Sequence, residues 1–307
     1  MNEGSSSPDR RAELLALTGE LRGELHRYCA RLMGSVIDGE DIVQDTLARA
    51  LVALDEAEEM PQLRPWLFRI AHNRALDLLR SRSLRKAEPI EAASDIADEA
   101  NPDPMEVLMR QEAVETAVSR FAELPLLQRS VVILKDVLDE SLKDIADLLD
   151  LTVDAVKAHL ARGRARLREI NAQAATLAEA RPVSAAVARY VALFNAQNWD
   201  GLRALLADDV RLHQSTYPLR VGAADVGMFF TIYAKFGGVR LQPAWVEGRE
   251  VIAVFEGGVG AEPSYFMWLE WRDGRISFIR DYRYARYIVN DAALMLAADG
   301  GPADDGR

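Results

Sequence analysis

The sequence predicts a multidomain chain: two all-α domains, the second built round a helix-turn-helix, followed by an α+β domain. Three observations carry this. Residues 141–168, SLKDIADLLDLTVDAVKAHLARGRARLR, read as a helix, a tight turn and a strongly basic second helix. Helical periodicity before them is broken by an acidic, proline-bearing stretch. After about Ala180 a helix gives way to short alternating runs with hairpin signals.

In chain order, residues 1–12 carry no apolar core of a leader and are expected to be disordered, with the first helical domain over 13–86. GEDIVQDTLARAL puts Ile42, Val43, Thr46, Leu47 and Ala50 on one face, with Asp41, Gln44, Asp45 and Arg49 on the other. LRPWLFRIAHNRALDLLRSR turns Leu67, Ile70, Ala71 and Leu78 inward. It leaves a polar stripe of Arg69, His72, Asn73, Asp77 and Arg80, with His72 read as a surface residue. Trp66 at its start suits core packing better than a stacking platform. Residues 87–104 hold six acids, no base and three prolines after position 88, a flexible linker by composition.

The second helical domain spans 105–172. Pro125 is placed to open a helix through Gln128, Arg129, Val132 and Leu134. Ser141 is a natural N-cap, with Asp144 three residues on. Leu142, Ile145, Ala146 and Leu149 follow at helical spacing. Asp150, Leu151 and Thr152 make the turn, and Thr152 can cap the next helix. There Val153, Val156 and Leu160 should face inward, leaving Lys157, His159, Arg162, Arg164, Arg166 and Arg168 outside.

A linker over 173–182 leads to an α+β domain over 183–296. It opens with an amphipathic helix read over 183–208, and a disordered tail follows over 297–307. Its clearest hairpin turns at Asp273-Gly274. That register pairs Trp271 with Ile276, Leu269 with Phe278, Met267 with Arg280 and Tyr265 with Tyr282, so Asp281 falls on the opposite face. A one-residue bulge would bring Asp281 round.

The net charge of −11 looks wrong for a nucleic-acid binder, but it is segregated. Residues 64–86 hold seven Lys and Arg against Asp77 alone, and 157–168 hold five and no acid. Local patches set affinity, while the acidic total repels non-specific DNA. Cys29, the single cysteine, excludes an internal disulfide and a multi-cysteine metal site. The four His are dispersed, and no cofactor or metal is expected. No run approaches a membrane span, which points to a cytoplasmic protein with no membrane partner.

Three motifs stand in order: DGEDIVQDTLARAL, then LRPWLFRIAHNRALDLLRSR, then LPLLQRSVVILKDVLDESLKDIADLLDLTVDAVKAHLARGRARLR. Together, over about 20–170, they resemble the extracytoplasmic-function (ECF) subgroup of bacterial RNA polymerase sigma factors. The resemblance implies a sigma factor that binds core RNA polymerase and directs it to the −10 and −35 elements of promoter DNA, without catalysis of its own. It implies polymerase docking through Asp41, Gln44, Asp45 and Arg49. The −10 strand would be melted and read through Trp66, Arg69, Asn73, Asp77 and Arg80, with the loop Glu58–Pro65 as a base pocket. Lys157, His159 and Arg162 would read the −35 element, with Arg164, Arg166 and Arg168 on phosphates. The acidic linker would thread the template-strand channel. Many such turns have Gly where Asp150 stands.

The last domain resembles the SnoaL-like group of the NTF2-like superfold, an α+β cone round an apolar pocket. His213, Tyr217, Tyr265, Arg280 and Tyr282 are the candidate polar lining. The resemblance implies a regulatory domain that takes an unidentified small-molecule ligand or an intramolecular contact. The junction AEARPVSA lacks the Trp-Leu-Pro-Glu-Pro signature of some fused ECF factors. Two other classes stay open: a conventional helix-turn-helix regulator with a ligand domain, and a SnoaL-like enzyme fused to a DNA-binding module.

Overall fold

The computed structural model describes residues 7–56, 61–87, 117–172, 182–215, 217–235, 238–257 and 261–297. They fall into two compact units, 7–87 with 117–172 and 182–297. All but the first residue of the expected linker over 87–104, nearly all of the second one, and the tail beyond 297 lie outside the described residues; Ala87 instead ends a helix.

In the helical unit, α1 (Ser7–Met33), α2 (Val36–Glu56) and α3 (Leu63–Ala87) form one bundle. The helix begins at Ser7 rather than after residue 12, since Ser-Pro-Asp is itself a start signal. Gly39 lets α2 lie against α1: a Cβ there would meet Ala30 Cα and N at 2.6 Å. Residues 57–60 are outside the description. Leu63–Pro65 form the first turn of α3, not a loop, because Gln62 O already accepts from Trp66 N and Pro65 has no N–H to leave unpaired.

α4 (Ala117–Phe121) and α5 (Leu126–Val132), whose N-cap is Pro125, are followed by a π turn over Ile133–Val137. The helix-turn-helix is α6 (Leu142–Leu149) and α7 (Val153–Ala172). Ser141 accepts from Asp144 N at 3.1 Å and Thr152 from Ala155 N at 3.2 Å, the two expected caps. Asp150 takes the left-handed backbone, φ 54° and ψ 50°, at the position where many such turns have Gly. Val156 and Leu160 are buried as expected. Val153, in the first turn of α7, is instead exposed, because it sits at the outer margin of the apolar stripe.

One apolar cluster runs through the whole unit, from Leu25, Tyr28, Leu32, Ile42, Leu67 and Phe68 to Val131–Leu134, Ile145, Val156 and Leu160. His72 is a correction. It is buried, with Nδ1 2.7 Å from the Tyr28 hydroxyl, because α1 packs over what looked like an open stripe.

The second unit begins with α8 (Ala185–Asn195) and α9 (Trp199–Arg203). The single helix expected over 183–208 is therefore broken. Gln197 turns left-handed at φ 55°, Asn198 caps a new helix by accepting from Gly201 N at 2.9 Å, and Leu206 already starts β1. The sheet comprises β1 (Leu206–Gln214), β2 (Arg220–Val221), β3 (Arg240–Val246), β4 (Arg249–Phe255), β5 (Tyr265–Arg272), β6 (Arg275–Asp281) and β7 (Met295–Leu296). α10 (Ala223–Lys235) lies between β2 and β3, and α11 (Ile288–Asp291) between β6 and β7. Its order is β2-β1-β6-β5-β4-β3-β7, antiparallel except for β1 beside β6. The inner face packs Leu212, Val254, Met267, Leu269 and Ile279 against Tyr190, Phe194, Phe230 and Tyr233 of α8 and α10.

The hairpin turns at Asp273 (φ 53°) and Gly274 (φ 75°), and Trp271 pairs with Ile276 as read from sequence. The register then shifts by one between Trp271 and Glu270. Leu269 pairs with Ile279, Trp268 with Arg280 and Met267 with Asp281. This bulge corrects the expected Leu269–Phe278, Met267–Arg280 and Tyr265–Tyr282 pairs, and it turns Asp281 inward.

Candidate nucleic-acid interface

The outer face of α2 is a set of anchored charges. Asp45 is ion-paired with Arg74 of α3 and lies 3.3 Å from Arg49, while Gln44 donates to the buried Glu40 at 3.1 Å. Asp41 and Arg49 are exposed. Asp38 takes both terminal nitrogens of Arg82, at 2.6 and 3.1 Å. Sequence periodicity had marked Arg74 and Arg82 only as parts of a basic run. Their partners lie on another helix, and no spacing signals them.

On α3, Asn73, Asp77 and Arg80 are exposed, with Arg80 3.8 Å from Asp77. Trp66 is half-buried against the core, on the packing side of the expectation. Arg69 donates to the Asp147 carbonyl of α6 at 2.9 Å. Arg64 lies over the Phe68 ring and bridges Glu24 at 2.5 Å and Glu140 at 2.6 Å.

On α7 the helical turn splits the cations into two flanks. Lys157, Arg164 and Arg168 lie on one, Arg162 and Arg166 on the other, with Ala158, Ala161 and Ala165 between them. Small residues along the middle let a helix sit deep in a groove while cations reach the phosphate walls. Arg164 is held bidentately by Asp136 of the π turn, at 2.5 and 2.9 Å. Lys157 is 3.1 Å from Asp154, Arg166 is 3.0 Å from Glu169, and Arg162 lies 3.4 Å from His159.

In the second unit the five expected lining residues do not share a face. Tyr265 points inward, its hydroxyl 2.6 Å from that of Tyr233. His213 and Arg280 are in contact on the opposite face, where the Arg280 guanidinium also lies 5.6 Å from the Tyr282 ring and Tyr282 packs on Phe266. Tyr217 is exposed and stacks on Tyr284 at 4.4 Å. The residue that joins Tyr265 inside is Asp281, fully buried, accepting from Gln214 Nε2 at 2.7 Å and Arg283 N at 2.9 Å. Burial pushes its carboxyl up to about 6. Among the described residues no group of three ligating side chains suits a metal ion, and no helix is long and apolar enough to cross a membrane.

A two-flanked basic helix-turn-helix, an anchored acidic helix and a separate α+β sheet unit make up a modular helix-turn-helix protein. The family models that match are Sigma-70 region 2 over residues 17–85, Sigma-70 region 4 over 116–167 and a SnoaL-like domain over 187–279. The ECF RNA polymerase sigma factor SigG of Mycobacterium tuberculosis is 33% identical over 227 residues, covering 66% of this chain and 61% of SigG. The RNA polymerase sigma factor CnrH of Cupriavidus metallidurans is 34% identical over 137 residues, covering 42% of this chain and 71% of CnrH. The crystal structure of the extracytoplasmic-function sigma factor SigJ of Mycobacterium tuberculosis aligns at 20% identity and TM-score 0.34, covering 89% of this chain and 98% of that one. The chain belongs to the ECF family of RNA polymerase sigma factors and carries a C-terminal SnoaL-like domain.

Proposed function

We propose that the chain is a cytoplasmic sigma factor: it binds core RNA polymerase and directs transcription initiation at promoters with matching −10 and −35 elements. The observation that carries this is the placement of an anchored acidic face on α2, an exposed polar stripe on α3 and a two-flanked basic α7 within the two matched sigma regions. Asp41, Gln44, Asp45 and Arg49 dock on polymerase. Arg69, Asn73, Asp77 and Arg80, flanked by Trp66, engage the −10 strand. Lys157, His159 and Arg162 read the −35 element, and Arg164 and Arg166 grip phosphates. Run-off transcription with purified core polymerase on a genomic fragment library tests the reading. Specific starts that core alone ignores are expected, and failure to bind core at moderate salt would sink it.

The C-terminal domain regulates rather than catalyses in this reading. Fusion keeps it at high effective concentration beside the DNA-binding unit, so a weak contact or a bound ligand suffices to bias promoter use. Asp281, the buried carboxyl beside Tyr265, is enclosed by its own hydrogen-bond donors, which suits a structural role.

Two substitution sets follow. Asn73→Ala or Arg80→Ala should weaken open-complex formation by roughly 1–3 kcal/mol while leaving core binding intact. Equal loss of core binding would assign these residues to docking instead. Arg162→Ala should reduce promoter affinity, and if the contact is to phosphate the salt slope should fall by about one unit. Unchanged affinity would move the reading surface along α7.

A further inference from the structure

The outer face of the sheet, turned away from α8 and α10, is partly covered by the segment that follows β6. Tyr282 and Ile288 of that segment are fully buried, and Tyr282 packs on Phe266 of β5. Elsewhere on this face two rows cross β1, β6 and β5 in register: His213, Arg280 and Trp268, and beside them Arg211, Phe278 and Glu270. Trp268 and Phe278 meet edge to face at 6.2 Å, and both rings are only half-buried. A guanidinium lies over each of them. Arg249 of β4 is 4.6 Å from the Trp268 ring and Arg211 is 5.6 Å from the Phe278 ring. Three residues past the ends of β1 and β6, Tyr217 and Tyr284 form a second, exposed ring pair at 4.4 Å.

The two rows with Arg249 hold three guanidiniums against one carboxylate, Glu270, in a chain whose net charge is −11. Rings alone would suit an apolar partner, and cations alone a solvated face. Interleaved, they suit nucleic acid whose bases are unpaired. Each base then offers its π-face to a ring or a guanidinium plane, while its phosphate is drawn to the cations. Neighbouring rows on one face lie about 6.6 Å apart, at ~3.3 Å per residue. That is about twice the ~3.4 Å rise of stacked bases, which leaves room for one side-chain plane between successive bases. A duplex keeps its π-faces inside its own stack and cannot use the rings. An acidic protein segment would use the cations and leave the rings idle.

We propose that this face, through Arg211, Arg249, Trp268, Phe278 and Arg280, binds single-stranded DNA. The choice of DNA over RNA rests on the sigma reading, in which promoter opening exposes an unpaired DNA strand. The C-terminal domain then acts on transcription through that strand, by holding it apart from its complement, and not only through contact with the rest of the chain.

The test uses the full-length chain carrying Asn73→Ala and Arg80→Ala, which takes away the competing stripe on α3. The probe is an oligothymidylate of roughly 12 nucleotides with photoreactive thymines, and cross-linked peptides are mapped by mass spectrometry. Cross-links should fall on β5, β6 or Tyr284, and a duplex of the same length should give none there. Phe278→Leu keeps apolar bulk without the ring, and should lower cross-linking at this face about ten-fold. Arg211→Gln should lower the salt slope of binding by about 0.7. Cross-links confined to the helical unit, or a yield and slope that neither variant changes, would overturn the proposal. So would tighter binding of the matching RNA, or equal competition by an acidic peptide of residues 88–103. Sedimentation that shows a dimer dissociated by Phe278→Leu would assign the face to a second copy instead. Core polymerase binding is read separately on the same chain. If it fails while the cross-links fall on the sheet, the sigma reading falls and the strand-binding face stands; if it holds while they do not, only the face is lost.

Discussion

Lowering the pH from about 7.5 to about 5 should weaken the helical unit and strengthen the sheet unit. In the helical unit, burial, with the Arg80 charge a smaller influence, pulls the His72 imidazole down to about 4. The unfolded chain binds a proton near pH 6.5, while folded His72 refuses it until about 4. Stability present above pH 6.5 is therefore lost through that window, about 2 kcal/mol of it by pH 5. In the sheet unit the direction reverses. Asp281 titrates near 6 when folded, chiefly because it is buried, and about two units lower when unfolded. Its ionised form is a burden above pH 6, and folded protein takes up the proton first as pH falls. About 1 kcal/mol is gained by pH 5. Hydrogen exchange resolved by unit, across this pH range, reads both changes in one molecule. His72→Gln should flatten the first dependence and Asp281→Asn the second. Two units that weaken in parallel, with no response to either substitution, would show that other groups set the pH dependence.

Arg129→Ala should destabilise the helical unit by about 3 kcal/mol or more. Arg129 is only 8% exposed, and it donates to main-chain carbonyls instead of a carboxylate. Nη1 reaches Leu32 O at 2.6 Å, at the end of α1, and Nη2 reaches Leu124 O at 2.9 Å and also Ala122 O. Burial pulls its guanidinium down to about 10, still well above neutrality, so the charge persists inside. Truncation removes that cost, but leaves three carbonyls without their donor and a void between α1 and α5. Arg129→Lys should not rescue, since an ammonium cannot span carbonyls arranged for a planar fork. Urea denaturation of the full-length chain measures the effect. A loss below about 1 kcal/mol would mean that water replaces the guanidinium at those carbonyls.

What the residues announce locally, the structure repeats. Ser141 and Thr152 cap the helices they were expected to cap, Asp150 makes the left-handed turn, and Asp273-Gly274 closes the hairpin. Each of these depends on groups within four or five residues, so the sequence alone determines them. It also determines the order of the modules and the basic face of α7, because the three motifs and the helical period are written along the chain.

Tertiary structure decides the rest. Asp281 and Arg280 exchange faces because one extra residue enters β6 beside Glu270, and a period of two has no memory of where it slips. His72 sits on a polar stripe by spacing, yet α1 covers it and Tyr28 becomes its partner 44 residues away. Arg64, Arg74, Arg82 and Arg164 read as one basic class, but Glu140, Asp45, Asp38 and Asp136 tie each down from a separate element. Periodicity reports which side of a helix is apolar, whereas only the packed chain settles what covers the other side. The same reason keeps the contact between Arg69 and Asp147 out of the sequence: it joins two surfaces that each look made for DNA, and it exists only where the helices meet.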